Sequence, residues 1–201
     1  IQWLGNIPEH WEVGAIKYFV LQKNGAIKTG PFGSQLTSAE MQSGSIKVYN
    51  QRSVIDCDFE SGDNFITDAK FADLAGFEAF PGDLLVTTRG TIGRAEILPD
   101  NAERGILHPC LLRLQPDNSR INTVFIKTLI QDSNLMRTQL SYLSNATTID
   151  VIYSNTIASV IVPVPPIEEQ GEILKFLDAE TAKLDALTAE AERAIELLQE
   201  R

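Results

Sequence analysis

Pro166–Arg201 reads PIEEQGEILKFLDAETAKLDALTAEAERAIELLQER, and its reading decides the architecture. No proline follows Pro166, and the only glycine is Gly171. Ala, Glu, Leu, Lys and Arg dominate, and all are strong helix formers. Steps of three and four from Ile167 pick out Gln170, Leu174, Leu177, Thr181, Leu184, Thr188, Ala191, Ile195 and Leu198. Ile173, Leu187 and Ala194 widen this line into a stripe, and charges occupy the opposite face. The pattern predicts one amphipathic helix about 50 Å long at ~1.5 Å per residue. A helix of that length overhangs a small domain, so part of its stripe needs a partner. Leu174, Leu177, Leu184, Leu187, Ala191, Ile195 and Leu198 are the candidate pairing residues.

Upstream of it, VPVPP (Val162–Pro166) supplies the firmest boundary, because closely spaced prolines stop a strand and suit the first turn of a helix. Glu168 and Glu169 then sit where the helix dipole favours acids. The expectation is α+β: a mixed globular domain over 1–165 and a single long helix over 166–201. FPGDLLVTTRGTIGRAEIL (Phe80–Leu98) carries the clearest β signal, a strand, a tight RGTIGR turn and a returning strand. Further strands are expected over Ile46–Ile55, with a kink at Asn50-Gln51, and over Ile106–Pro116. Helices are expected over Ile7–Val20, with Trp11 in the core, over Asp68–Gly76 and over Asn122–Tyr142. Gly25–Leu36 is read as a Gly-rich loop, and Val160–Val164 as the last strand.

With 43% hydrophobic and 22% charged residues, the 201-residue chain has the composition of a soluble globular protein. Apolar runs fall short of the ~20 residues needed to span a bilayer, so no membrane association is expected. The start, IQWLGNIPEHW, lacks the basic and apolar regions of a signal peptide. A first residue of Ile points to a piece of something longer. Cys57 and Cys110 lie far apart, which predicts reduced, buried thiols and a cytoplasmic location. The net charge of −10 is unevenly spread. From Glu168 onward ten acids meet four bases, and residues 55–84 hold eight acids and only Lys70. The remainder carries nine acids against twelve bases, so whole-chain charge does not exclude a nucleic-acid partner.

Catalytic signatures are missing from the pattern. Neither His10 nor His108 sits with cysteines or carboxylates at metal-ligand spacing, so neither a metal site nor a cofactor is expected. GPFGSQ lacks the Lys-Ser/Thr ending of a phosphate loop, and no G-x-S-x-G elbow or G-x-G-x-x-G run is present. Polar and basic residues do gather at turns: Lys28 and Thr29; Lys47, Asn50, Gln51 and Arg52; Arg89, Thr91 and Arg94; and Asn145, Thr147 and Thr148. Arg, Lys, Asn and Gln can read base edges, while Thr and loop amides hold phosphates. Taken singly, each reads as an ordinary solvated turn residue before it reads as a DNA contact.

Three motifs in order carry a resemblance. GNIPEHWE opens the chain, GDLLVTTRGTIGRAEIL lies in the middle, and VPVPPIEEQGEILKFLDAETAKLDAL begins the long helix. Together they resemble the specificity subunit of type I restriction–modification systems, over nearly the whole chain. The resemblance implies a target recognition domain over 1–165 and a conserved spacer helix over 166–201. It implies double-stranded DNA, an adenine methyltransferase (modification) subunit and a restriction subunit as partners, with no catalytic residues in this chain. Such subunits usually carry two recognition domains and two spacers, each domain reading one half of a split target. One of each here implies a half-length or shortened subunit, completed through the helix by a second copy or a second recognition half. The rival reading is a helix-mediated dimeric scaffold without DNA readout.

Overall fold

The computed structural model describes residues 5–143 and 151–199. After a turn at Pro8–Trp11, closed by Trp11 N–H donating to the Pro8 carbonyl (3.1 Å), strand β1 spans Glu12–Ala15 and a 3-10 turn Ile16–Tyr18. β2 (Ile27–Thr29), β3 (Ile46–Tyr49), α1 (Gln51–Ile55), β4 (Phe65–Ile66), α2 (Asp68–Leu74) and β5 (Glu78–Ala79) follow. Next come β6 (Leu84–Thr87), β7 (Ala95–Ile97), β8 (Gly105–Leu107) and β9 (Leu111–Leu114). α3 (Thr123–Gln131), α4 (Asn134–Leu143), α5 (Ser154–Ser159), β10 (Ile161–Val164) and α6 (Ile167–Gln199) complete the chain. The class is α+β, as its sequence pattern predicts.

Two four-stranded sheets form the body. One is antiparallel in the order β2-β9-β6-β7; the other is mixed, β4-β3-β8-β5, with β3 and β8 parallel. Strand alternation divides the core between them. Leu84, Val86, Leu112 and Leu114 face a large cluster with Phe125, Ile126 and Ile130 of α3. Leu85 and Leu111 face the other way, onto Tyr49, Val54, Phe59 and Leu107. β6 is therefore buried on both faces, which explains its unbroken apolar run. Each such side chain contributes roughly 1.5–3 kcal/mol of burial.

Several expectations are corrected. Ile7–Val20 is no helix: Glu12–Ala15 pairs antiparallel with Ile161–Val164, and Trp11 is only half-buried, its indole N–H donating to Glu169 (3.1 Å). Pro163 lies inside β10 opposite Val13, which a two-stranded sheet tolerates because each strand is an edge. Asn50 is a helix start, not a strand kink. Its Oδ1 accepts from Arg52 N (2.8 Å) and Ser53 N (3.3 Å), capping α1. Ile106–Pro116 is two strands in different sheets, joined through His108-Pro109-Cys110. Asn122–Tyr142 is two helices broken at Asp132-Ser133. Cys57 is exposed at φ 54°, and Cys110 is half-buried, so neither thiol is a core residue.

The long helix is continuous over 33 residues. Its first turns are tied to the domain. Gln170, fully buried, accepts from Asn122 N (2.8 Å) and donates to the carbonyls of Pro165 (2.8 Å) and Arg120 (3.0 Å). Glu169 accepts from Trp11 and pairs with His10 Nε2 (2.9 Å). Ile173 and Leu174 pack on the main core. Leu174 is thus committed to its own domain and is corrected as a pairing residue. Beyond it, Leu177, Leu184, Leu187, Ala191, Ile195 and Leu198 are exposed.

Candidate nucleic-acid interface

The RGTIGR turn is the centre of the site. Gly90 (φ 62°) and Gly93 (φ 80°) take the left-handed conformation that a side chain would strain. Thr87 locks the turn from beneath: its hydroxyl donates to the Thr91 carbonyl (2.5 Å) and accepts from Arg94 N (3.0 Å). This projects Arg89, Thr91 and Arg94 into solvent. Neighbouring segments hold it in place. Gln51 Nε2 donates to the carbonyls of Arg89 and Thr91, Ile152 N donates to the Thr88 carbonyl (2.9 Å), and Arg89 forms a β-bridge with Val151.

Lys28 and Thr29 reach the same place from β2. Gly30 N donates to the Leu111 carbonyl (2.8 Å), and a Cβ on Gly30 would lie 2.1 Å from the His108 carbonyl oxygen. Only glycine permits that approach. The result is an open cleft of about 310 Å³ whose lining includes Lys28, Thr29, Phe32, Phe77, Arg89 and Tyr153. The Lys28 ammonium lies 4.8 Å from the centre of the Phe77 ring. No carboxylate is among the described residues lining the cleft. His108, at the β8–β9 link, is held below its ordinary pKa by burial first and by the Arg89 charge second. Its Nδ1 accepts from Cys110 N (3.2 Å), so the neutral ring carries its proton on Nε2.

The structure sorts the sequence candidates. Lys28, Thr29 and Arg89 converge on the cleft, and Gln51 braces the turn that presents Thr91 and Arg94. Arg52 is exposed on α1 and paired with Asp56 (3.5 Å). Asn50 spends its carbonyl oxygen on the cap. Lys47 is corrected as a surface contact: it is 2% exposed, and its Nζ donates to the Glu60 carbonyl (2.6 Å) and to Glu103 (3.3 Å). Asn145, Thr147 and Thr148 lie outside the described residues. Sequence reasoning missed Phe32, Phe77 and Tyr153, because an aromatic side chain in a sequence reads first as core. Among the described residues, no group of three or more His, Cys, Asp or Glu is placed to hold a metal ion. No described helix is long and apolar enough to cross a membrane.

An α+β domain that gathers cations and amides at rigid turns, and projects a helix with an open apolar stripe, has the form of a recognition module. The chain belongs to the family of type I restriction modification DNA specificity domains, whose profile matches residues 8–197. Its fold is similar to that of a chain solved for the structural basis of complex assembly and conformational transition of the type I R-M system. That likeness has a TM-score of 0.65 at 19% identity, covering 97% of this chain and 44% of the other. It is also similar to the HsdS subunit from Thermoanaerobacter tengcongensis, with a TM-score of 0.59 at 16% identity, covering 91% and 40%. The chain therefore spans less than half the length of these solved relatives.

Proposed function

We propose that this chain is the DNA-reading part of a type I restriction–modification specificity subunit and recognises one half of a bipartite target. The observation that carries the reading, within the family, is the convergence of Lys28, Thr29, Arg89, Thr91 and Arg94 around one braced turn in an otherwise acidic chain. Lys28 and the arginines set position on phosphates and supply the salt dependence. Arg89 and Arg94 offer the planar donors that discriminate base edges, on the turn that Gln51 braces. Arg52 contributes at the margin, since Asp56 already partners it.

In this reading the exposed part of α6 pairs with a second spacer helix, from another copy or from a second recognition half. The pair fixes the separation of two half-sites and docks the adenine methyltransferase and restriction subunits. Catalysis belongs to those partners. With a net excess of only three positive charges outside its acidic segments, the isolated chain should bind DNA weakly and the assembly strongly.

Gel-shift titration with and without the modification subunit tests the proposal. Arg89→Ala with Arg94→Ala should abolish methylation in the assembled system while leaving the fold intact. Unchanged restriction and modification in that variant would identify the arginines as solvated turn residues and favour a scaffold without DNA readout.

A further inference from the structure

The cleft beside the RGTIGR turn holds more than phosphate-binding groups. Phe32 is 75% exposed and Tyr153 is 58% exposed, both lining a concavity of about 310 Å³. That volume is at the lower end of the range for small-ligand sites. Lys28 and Arg89 line the same space, and among the described residues neither takes part in an ion pair. Backbone contacts hold the walls in place. Gly30 is pinned against the His108 carbonyl, and the Tyr153 backbone carbonyl accepts from Thr156 N (3.0 Å) and Ile157 N (3.2 Å) at the start of α5.

Large exposed aromatic rings facing a built concavity, with cations beside them and no carboxylate, suit a flat, electron-rich group that carries an adjacent anion. A nucleotide has that chemistry: every base has a π-face for stacking, and its flanking phosphates complement Lys28 and Arg89. A continuous duplex offers only base edges, so a base lying against these rings has left the stack.

We propose that the cleft binds one unstacked nucleotide of the DNA held by this domain. Phe32 and Tyr153 contact the base, and Lys28 and Arg89 neutralise the neighbouring phosphates. This rests on the reading of the chain as a DNA-binding domain and adds a site within it. The surface then distinguishes DNA partly by how readily one nucleotide leaves the helix, since extrusion costs least where pairing is weak or absent.

The full chain can be titrated, by fluorescence anisotropy, against a fully paired duplex and against the same duplex carrying one bulged nucleotide. In the bulged duplex the nucleotide has no pairing partner to lose, so extrusion costs less and binding should be roughly tenfold tighter. Phe32→Ala and Tyr153→Ala should shrink that ratio towards one, and Tyr153→Phe, which keeps the ring, should restore it. Circular dichroism unfolding curves identify any variant that has lost its fold. Equal affinity for the two duplexes, or a ratio untouched by the alanine variants, would overturn the unstacked-nucleotide site while leaving DNA binding in place. Failure to bind either duplex, alone and with the modification subunit, would overturn the DNA-binding reading as well. Displacement of the bulged duplex by free deoxynucleoside monophosphate at equal concentration would show a mononucleotide pocket and overturn the assignment to DNA.

Discussion

Lys47 and His108 show how one residue's surroundings override its type. The alternation Ile46-Lys47-Val48 assigns Lys47 to an outer face, yet all four residues of β3 are buried because the strand lies between β4 and β8. The ammonium is satisfied by the Glu60 carbonyl and by Glu103 instead of by a phosphate. Lys47→Ala should cost about 2–4 kcal/mol, since it opens a cavity and strips a charged donor from a carbonyl. Urea denaturation measures this, and a change below about 0.5 kcal/mol would return Lys47 to the surface. His108 carries a pH consequence. Its folded pKa lies below the ordinary 6.5, from burial first and the Arg89 charge second. The unfolded chain therefore binds more protons as pH falls below about 6.5, and protonation also removes the acceptor for Cys110 N. This contribution to stability is complete above that pH and declines below it. His108→Gln should flatten the slope of unfolding free energy between about pH 5.5 and 7. An identical slope in the variant would exclude His108 as its origin.

Among the elements, those defined by local sequence were legible, and those defined by distant partners were not. The β6–β7 hairpin combines an apolar run with two glycines that its turn needs at positive φ, so strand and turn can be read from adjacent residues. Residues 12–20 place Ala15, Ile16, Phe19 and Val20 at helical spacing, and all four are buried. Glu12–Ala15 is strand and Ile16–Tyr18 a 3-10 turn, because Glu12–Ala15 pairs with Ile161–Val164, far along the chain, and no local periodicity records that. The same holds for the candidate site. Lys28 and Arg89 are recognisable by type, but the cleft exists only because the 28–33 and 87–94 segments meet across the β8–β9 link. The root of α6 is a further long-range device. Gln170 supplies an acceptor to Asn122 N and donors to the carbonyls of Arg120 and Pro165 from a fully buried position. Gln170→Ala leaves three backbone groups without partners and should cost about 2–4 kcal/mol, lowering Tm by roughly 5–15 °C. Calorimetry decides; a change under about 2 °C would mean that Ile173, Leu174 and the Glu169 contacts with His10 and Trp11 seat the helix without Gln170.

At the scale of the molecule, two surfaces of opposite character are joined by that rigid root, and salt should drive them in opposite directions. Leu177, Thr181, Leu184, Thr188, Ala191, Ile195 and Leu198 alternate steps of four and three, the 3.5-residue period of a helix-pairing seam. Thr181, Thr188 and Ala191 fill it less well than Leu would, which predicts modest affinity. The segment from Glu168 onward carries ten acids against four bases, so two copies repel at low ionic strength. The screening length falls from about 30 Å at 0.01 M to about 8 Å at 0.15 M, which should strengthen the proposed self-association. The proposed DNA binding through Lys28, Arg89 and Arg94 should weaken over the same range, because each phosphate contact releases counterions. Sedimentation and anisotropy across one salt series read both responses. Ending the chain after Leu177 should abolish self-association and leave Tm nearly unchanged, since Ile173 and Leu174 are the helix's apolar contacts with the main core. A shortened chain that still dimerised would move the pairing surface off the helix. Association that fell with salt would assign the dimer to charge complementarity instead of the leucine stripe.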